Sequence, residues 1–440
     1  MSNVQLAMSN DSQPRKMKTT TIPFCEFVPV EWDIIPNRYL FVNHSIKVGE
    51  NANDYQLLSL TTGGVKKKDI NASGGKVPTS YDNYQTVSNG DMIFCLFDLD
   101  CSAVFSGLSP FDGMITSAYD VYMPDKKYVD KHYIEYWFQY VFSYRYYKMY
   151  SKSIRYTITS DMFKMIVTPV PPIQEQQIIG NFLDRKCTQI DALIANEEQQ
   201  IAKLKAYKQS VITETVTKGL DPDVPMKDSG VEWIGEIPEH WKTPQIKYMA
   251  NIGSGSTPDR NNPDYWNGSI KWLKTGELQN NVITDSEEYI TEIALSKTSV
   301  RLFPINTVLI AMYGQGKTRG MTALLKEPCT TNQACAGLTI CSDNITANYL
   351  WKCLIGAYIG IREIAQGSGQ PNLNVSLISS FQIPLPSTID EQNQIVDYLD
   401  QKCEQIDRLI AIKQQKIEKI QQYKKSIIYE YVTGKREVST

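Results

Sequence analysis

Histidine is scarce in this chain: only His44, His132 and His240 occur, and none of the nine cysteines sits in a Cys-x-x-Cys pair. That excludes the usual structural zinc patterns and points to a reducing, cytoplasmic setting. Cys329, Cys335 and Cys341 are evenly spaced, but a period of six matches no ligand pattern, so they read as buried small hydrophobes. Long apolar runs are also missing. No stretch of about 18 apolar residues is present, which argues against a membrane-spanning helix, and the polar start from Met1 to Thr21 lacks the apolar region of a signal peptide. Charge of one sign is lacking too, since the net charge is only −3. A chain of this balance has no global basic footprint, and any nucleic acid must be held through local patches or with a partner's help.

What is present is ordinary globular material, 440 residues with 42% hydrophobic and 21% charged, enough for two or three domains. One stretch occurs twice. The stretch from Pro171 to Gly219 recurs from Pro386 to Lys435, and from Gln174 against Asp390 through Thr217 against Thr433 the offset is a constant 216 residues with no gap. Leu183-Asp184, Lys186-Cys187, Gln189-Ile190-Asp191 and Tyr207-Lys208 reappear as Leu399-Asp400, Lys402-Cys403, Gln405-Ile406-Asp407 and Tyr423-Lys424. Such a duplication governs the whole architecture.

Each copy predicts one long helix bounded by prolines and a glycine. Apolar residues at Leu183, Cys187, Ile190, Ile194, Ile201 and Leu204, and at Leu399, Cys403, Ile406, Ile410, Ile417 and Ile420, alternate steps of three and four. So narrow a seam is what a coiled coil buries. About 44 residues at 1.5 Å rise make a rod of roughly 66 Å, and a lone rod of this kind needs a partner. The nearest partner is its own repeat, run antiparallel, with a domain folded between. Glu197 interrupts the seam where the other copy has Lys413. Facing repeat midpoints predict a register-setting ion pair there, the alternative being that both side chains reach to solvent.

The expected layout is a disordered N-terminal arm (1–21), a first β-rich domain (22–170), the first long helix (171–219), a connector (220–239), a second β-rich domain (240–385) and the second long helix (386–435). The two domains keep the same order of elements. Ile270–Gly276 answers Leu57–Gly64, Thr307–Met312 answers Asp91–Phe97, and a helix over Ala347–Arg362 answers one over Asp130–Tyr147. The earlier helix is rich in aromatics, tempting as a stacking platform for single strands; its helical spacing favours core packing.

Pro-x-Pro followed by Glu-Gln, then Leu-Asp-x-Lys-Cys-x-Gln-Ile-Asp, together with the connector running from Asp228-Ser229-Gly230 to Pro238-Glu239-His240-Trp241, resembles the specificity (S) subunit of type I restriction-modification systems. Val30-Glu31-Trp32 is a partial echo of the connector's end. The resemblance implies an α+β fold: two β-rich target recognition domains separated by two long antiparallel coiled-coil helices, with an internal pseudo-twofold repeat. It further implies that each domain reads one half of a split site in double-stranded DNA. Two methyltransferase (M) subunits would dock on the helices, and restriction (R) subunits would join that core. The chain itself would be non-catalytic and bind no cofactor; S-adenosylmethionine, ATP and Mg would sit on the partners. No metal and no membrane are implied.

Candidate DNA contacts are basic, amide or hydroxyl residues on Gly-rich loops, where backbone can approach phosphate and side chains can reach base edges. In the first domain these are Lys66, Lys67, Lys68, Asn71 and Lys76; in the second, Ser256, Thr257, Lys274, Gln315, Lys317, Thr318, Arg319, Gln370 and Asn372. If the helices act as a ruler, the half-sites should lie about one turn of B-DNA apart, roughly 10–10.5 bp. Adding four helical residues, about 6 Å, should change the gap by about two base pairs. Two other readings compete. Ala311-x-x-x-x-Gly316-Lys317-Thr318 satisfies a relaxed P-loop pattern for an NTPase, though Arg319-Gly320 and Pro328 leave little room for the helix it needs. A non-enzymatic coiled-coil scaffold would explain the rods but not two β-rich inserts with Gly/Lys/Gln loops.

Overall fold

The computed structural model describes residues 15–438, apart from 45, 70–79, 100, 103, 152–154, 315 and 367–370. Both copies of the duplicated stretch form single helices, Ile173–Lys218 and Ile389–Val432, of 46 and 44 residues. Gln, Lys and Glu, which lose little freedom in a helix, fill the positions between the isoleucines of the seam. Each run is stopped by a glycine in the left-handed region, Gly219 at φ +75° and Gly434 at φ +68°, a conformation that other residues adopt only at a cost.

The chain divides into two compact units, one of residues up to Glu197 together with those from Gln415 onward, the other of Glu198–Gln414. Each unit therefore holds one β-rich domain, the first half of the long helix that follows it and the last part of the other long helix. In the first unit Leu183, Cys187 and Ile190 share a core with Ile427, Ile428 and Val432, and Ile194 and Ile420 pack at its edge; Ile417 is also buried. In the second, Leu399 and Cys403 share a core with Val211, Ile212 and Val216. Ile201 and Ile406 are buried there too, and Leu204 and Ile410 are half-buried.

Ion pairs show the helix direction within each unit. Lys424 Nζ lies 2.7 Å from Asp191 and Lys416 Nζ 2.5 Å from Glu197 in the first. Rising numbers on one helix meet falling numbers on the other, so the segments are antiparallel. Lys208 Nζ lies 2.6 Å from Asp407 in the second unit, where Lys413 also donates to Gln200. Shifted by the repeat offset, Asp191–Lys424 becomes Asp407–Lys208 with the partners exchanged. Glu197 is buried and takes Lys416, so its charge is held inside the seam rather than released to solvent.

The repeat extends into the domains, where identity is weak. In the first, strand Met92–Phe94 lies between Ser106–Leu108 and Asp120–Pro124, and the latter also pairs with Phe41–Asn43. In the second, Val308–Ala311 lies between Thr322–Leu325 and Cys335–Ile340, and the latter also pairs with Ala250–Ser254. All these pairings are antiparallel. The second domain adds Asn281–Ile283, parallel to Thr322–Leu325, as an outer strand. It also adds a three-stranded sheet of Glu288–Ile290, Trp266–Leu273 and Thr330–Thr331.

Framework contacts repeat residue by residue. Tyr133 OH donates to Pro169 O at 3.0 Å, and Tyr349 OH to Pro384 O at 3.1 Å. Gln176 takes Asp130 N and donates to Tyr128 O, while Gln392 takes Thr346 N and donates to Asn344 O. Trp32 Nε1 reaches Glu175 at 3.1 Å and Trp241 Nε1 reaches Glu391 at 2.9 Å. Each tryptophan also packs on the glycine that ends the other long helix, Trp32 against Gly434 and Trp241 against Gly219.

Several expectations need correction. Met17–Thr19 pairs with Phe27–Pro29 as Met226–Asp228 pairs with Glu236–Pro238, so a disordered arm does not reach residue 21. Its backbone is satisfied by a strand, and Arg15 is tied to Glu175 at 2.7 Å. Cys329 and Cys335 are buried but Cys341 is exposed, because it falls just past the strand end at Ile340. Leu58–Thr61 forms a hairpin with Gly64–Lys67, whereas Trp266–Leu273 pairs with Glu288–Ile290 and Thr330–Thr331, so those two segments are not equivalents. The helix read over Ala347–Arg362 is two, Ala347–Gly356 and Tyr358–Glu363. At the break, Gly356 O accepts from Thr213 Oγ1 at 2.9 Å. The aromatic helix spans Lys131–Ser143 and buries Tyr133, Tyr136, Trp137, Phe138 and Tyr140; those rings serve the core.

Candidate nucleic-acid interface

In the second domain a loop joins the antiparallel strands Val308–Ala311 and Thr322–Leu325. Gly314 is required at its start: at φ +140°, a Cβ there would stand 2.7 Å from Thr318 Cβ. Arg362 closes the loop from below, its Nη2 donating to Gly316 O at 2.9 Å and its Nη1 to Arg319 O at 2.6 Å. Tyr358 OH donates to Lys317 O at 2.7 Å. With three carbonyls anchored to one short helix, the Lys317 side chain stays exposed on a held backbone, the kind of pre-organisation a binding site requires. Arg319, half-buried, donates to Pro371 O. Next to it, Asn372 exchanges both backbone bonds with Gln366. Gln315 and Gln370 lie outside the described residues.

The same arrangement removes the P-loop. A phosphate cradle needs a helix N-terminus directly after the lysine, and here an antiparallel strand follows instead.

Elsewhere in this domain the predicted residues are engaged with protein partners. Ser256 Oγ meets Ser299 Oγ at 2.9 Å and Thr257 Oγ1 donates to Gln333 at 2.5 Å. Lys274 Nζ lies 2.9 Å from Glu287 and 3.0 Å from Glu288. Glu287 and then Glu288 raise its pKa, while Arg260 and then Lys274 hold the Glu288 carboxyl below the usual range. Lys274 is thus matched internally, and Arg260 stacks on Trp266 with its Cζ 4.0 Å from the ring centre.

In the first domain Lys66, Lys67 and Lys68 are exposed on and just past strand Gly64–Lys67. Strand alternation sends neighbours to opposite faces, so they do not form one patch, and Lys67 Nζ sits 5.0 Å above the Phe111 ring. Asn71 and Lys76 lie outside the described residues.

Sequence reasoning missed Arg362 and Tyr358, which act through contacts some 40 residues distant in the chain, and no local signal marks them. It also missed the tryptophan–glutamate contacts, which the partial echo at Val30-Glu31-Trp32 signalled. Among the described residues no cluster of His, Cys, Asp and Glu could hold a metal, and no helix is long and apolar enough to cross a membrane.

Comparison with known proteins places this geometry. Residues 238–422 match the family described as the type I restriction modification DNA specificity domain. That match takes in 185 of the chain's 440 residues. Relatives include the MjaIX specificity subunit of Methanocaldococcus jannaschii, 32% identical over 178 residues (39% of this chain and 40% of that protein). The EcoR124I/EcoR124II specificity subunit of Escherichia coli is 32% identical over 173 residues (38% and 41%). The MjaVIII specificity subunit of M. jannaschii is 26% identical over 288 residues, 64% of each chain. The matched stretches thus span 40% to 64% of these relatives' lengths. A solved chain from work on complex assembly and conformational transition of the type I R-M system superposes with a TM-score of 0.69. It covers 93% of this chain and 99% of that one at 14% identity, which establishes a shared fold. The matched stretch includes Trp241, the Lys317 loop, Arg362 and the part of the second long helix that carries Asp400 and Asp407.

Proposed function

We propose that this chain is the DNA-recognition subunit of a type I restriction-modification complex, each β-rich domain reading one half of a bipartite site. The observation that carries this is the repeated framework: Trp–Glu, Tyr–carbonyl and Gln–backbone contacts recur at matching positions, while the loops they support differ. A constant frame under divergent loops suits two readers of different sequences. The chain itself is non-catalytic on this reading and works in the cytoplasm; adenine methylation, with its S-adenosylmethionine, and ATP- and Mg-dependent cleavage belong to partner M and R subunits.

The long helices support the partner assignment. Leu193 and Tyr423 in the first unit are 54% and 58% exposed, and their repeat mates Leu409 and Tyr207 in the second are 49% and 50% exposed. Two like sets of exposed residues, a leucine on one helix segment and a tyrosine on the segment paired with it, fit two copies of one partner, the M subunit. The test is to co-express the chain with its methyltransferase and map modified adenines. A two-part motif, one half of which changes when the second domain is exchanged, is the expected result. Methylation without sequence preference, or no retention of duplex DNA by the purified complex, would overturn the reading.

A further inference from the structure

Within the second unit a groove of about 1070 Å³ runs between the specificity domain's loops and the long-helix segments. It exceeds the roughly 300–1,000 Å³ typical of small-molecule sites, and it is open. One wall carries Lys317, Thr318 and the turn at Gln279 and Asn280; the other carries Lys205. The carboxylates on its walls are already neutralised: Asp400 by Lys352, Glu404 by Arg408 at 2.5 Å, and Asp407 by Lys208 at 2.6 Å. Lys205 and Lys317 have no acidic partner among the described residues, so the groove carries an excess of positive charge shared between its two sides.

Asn280 adds a directional donor. It sits in the left-handed region at φ +57°, and its Oδ1 accepts from Thr322 N at 3.0 Å and Thr322 Oγ1 at 2.9 Å. Its amide nitrogen is thereby left to donate. A locked carbonyl cannot make the bidentate contact that asparagine offers adenine, but the nitrogen can serve a phosphate oxygen or a base acceptor.

We infer that this groove seats one sugar-phosphate strand of the recognised duplex, with Lys205 of the long helix and Lys317 of the loop each neutralising a phosphate. The long helix is then part of the DNA-binding surface as well as a support. This rests on the DNA-reading function proposed above. A peptide from a protein partner is the less suited occupant, because the excess charge is cationic and the anchored loop beside it offers donors.

The test uses the co-expressed complex and a duplex containing its mapped site, with log Kd measured against log salt concentration. Lys205→Gln and Lys317→Gln should each lower the salt slope by about 0.9, and the double variant by about 1.8, with melting curves unchanged because both side chains are exposed. A wild-type complex that binds its site specifically while Lys205→Gln leaves the slope unaltered would overturn the groove assignment and leave the reading function standing. Loss of methyltransferase co-purification in Lys205→Gln, again with an unaltered slope, would identify a protein occupant and also overturn it. If the wild-type complex binds no duplex, the underlying reading falls instead.

Discussion

Removing one oxygen from each of two repeat-related tyrosines tests the duplicated framework directly. Tyr133 and Tyr349 are fully buried. Tyr133 OH donates to Pro169 O at 3.0 Å and lies 3.3 Å from Val432 O, the last residue of the second long helix. Tyr349 OH donates to Pro384 O at 3.1 Å and lies 3.5 Å from Val216 O, in the last turn of the first. Carbonyls in a final helical turn lack intrahelical partners, so each hydroxyl ties a helix end to the segment that leads into the other helix. Because one proton serves two acceptors, Tyr→Phe removes about one bond's worth of stabilisation and leaves a carbonyl unpaired, a loss of about 1–2 kcal/mol. For a unit of this size that is a fall in Tm of roughly 2–8 °C. The ring stays, so no cavity term is added. The partners of Tyr133 lie in the first unit and those of Tyr349 in the second, so the two losses should add. Burial raises both phenols well above their ordinary value of 10. Their contribution is therefore complete below pH 10 and declines above it, where the unfolded chain ionises first and the folded phenol stays protonated. Calorimetry or urea titration of both single variants and the double would decide the matter. If either Tyr133→Phe or Tyr349→Phe melts within roughly 1 °C of wild type, the hydroxyls do not join the helix ends and the argument fails.

Other outcomes follow from single contacts. Glu197→Lys replaces a buried carboxylate with an ammonium facing Lys416, 2.5 Å from the native carboxylate; with one partner buried and the other exposed, the cost falls between the ~1 kcal/mol of a surface pair and the ~3 kcal/mol of a buried one, and an unchanged urea midpoint would refute it. Lys208→Met and Lys424→Met break exposed repeat-related pairs, so each should cost under about 1 kcal/mol; a larger loss would mean that the antiparallel seam depends on them. Arg362→Ala should release the Gly316 and Arg319 carbonyls, speed amide exchange over 316–319 and weaken DNA binding about as much as Lys317→Ala; normal affinity would show that the loop needs no anchor. Gly314→Ala should destabilise the loop by about 1–3 kcal/mol from positive-φ strain, since its Cβ would lie 2.7 Å from Thr318 Cβ; a neutral effect on melting would contradict that geometry.

The long helices were legible because their evidence is local and written twice: seam spacing, helix-forming interiors and terminal Gly219 and Gly434. The domains were legible in outline, through the apolar runs at Met92 and Val308, but not in detail. Ile270–Gly276 looked like the mate of Leu57–Gly64 because both are short and apolar, and only pairing partners told them apart. Candidate contacts fared differently from one another. Lys317 remains exposed on an anchored loop, while Lys274 has its charge matched by Glu287 and Glu288, and a lysine in sequence carries no sign of which acid stands beside it.

From the amino-acid order alone came the duplication, the two helices and their apolar seam, since propensity and periodicity act between residues a few positions apart. Tertiary structure alone decided that Arg362 secures the Lys317 loop, that Trp32 and Trp241 each bridge the glycine ending one long helix and the glutamate opening the other, and that Lys205 shares a groove with the loop. Those contacts join residues tens to hundreds of positions apart, and they exist only once burial and backbone pairing have brought the segments together.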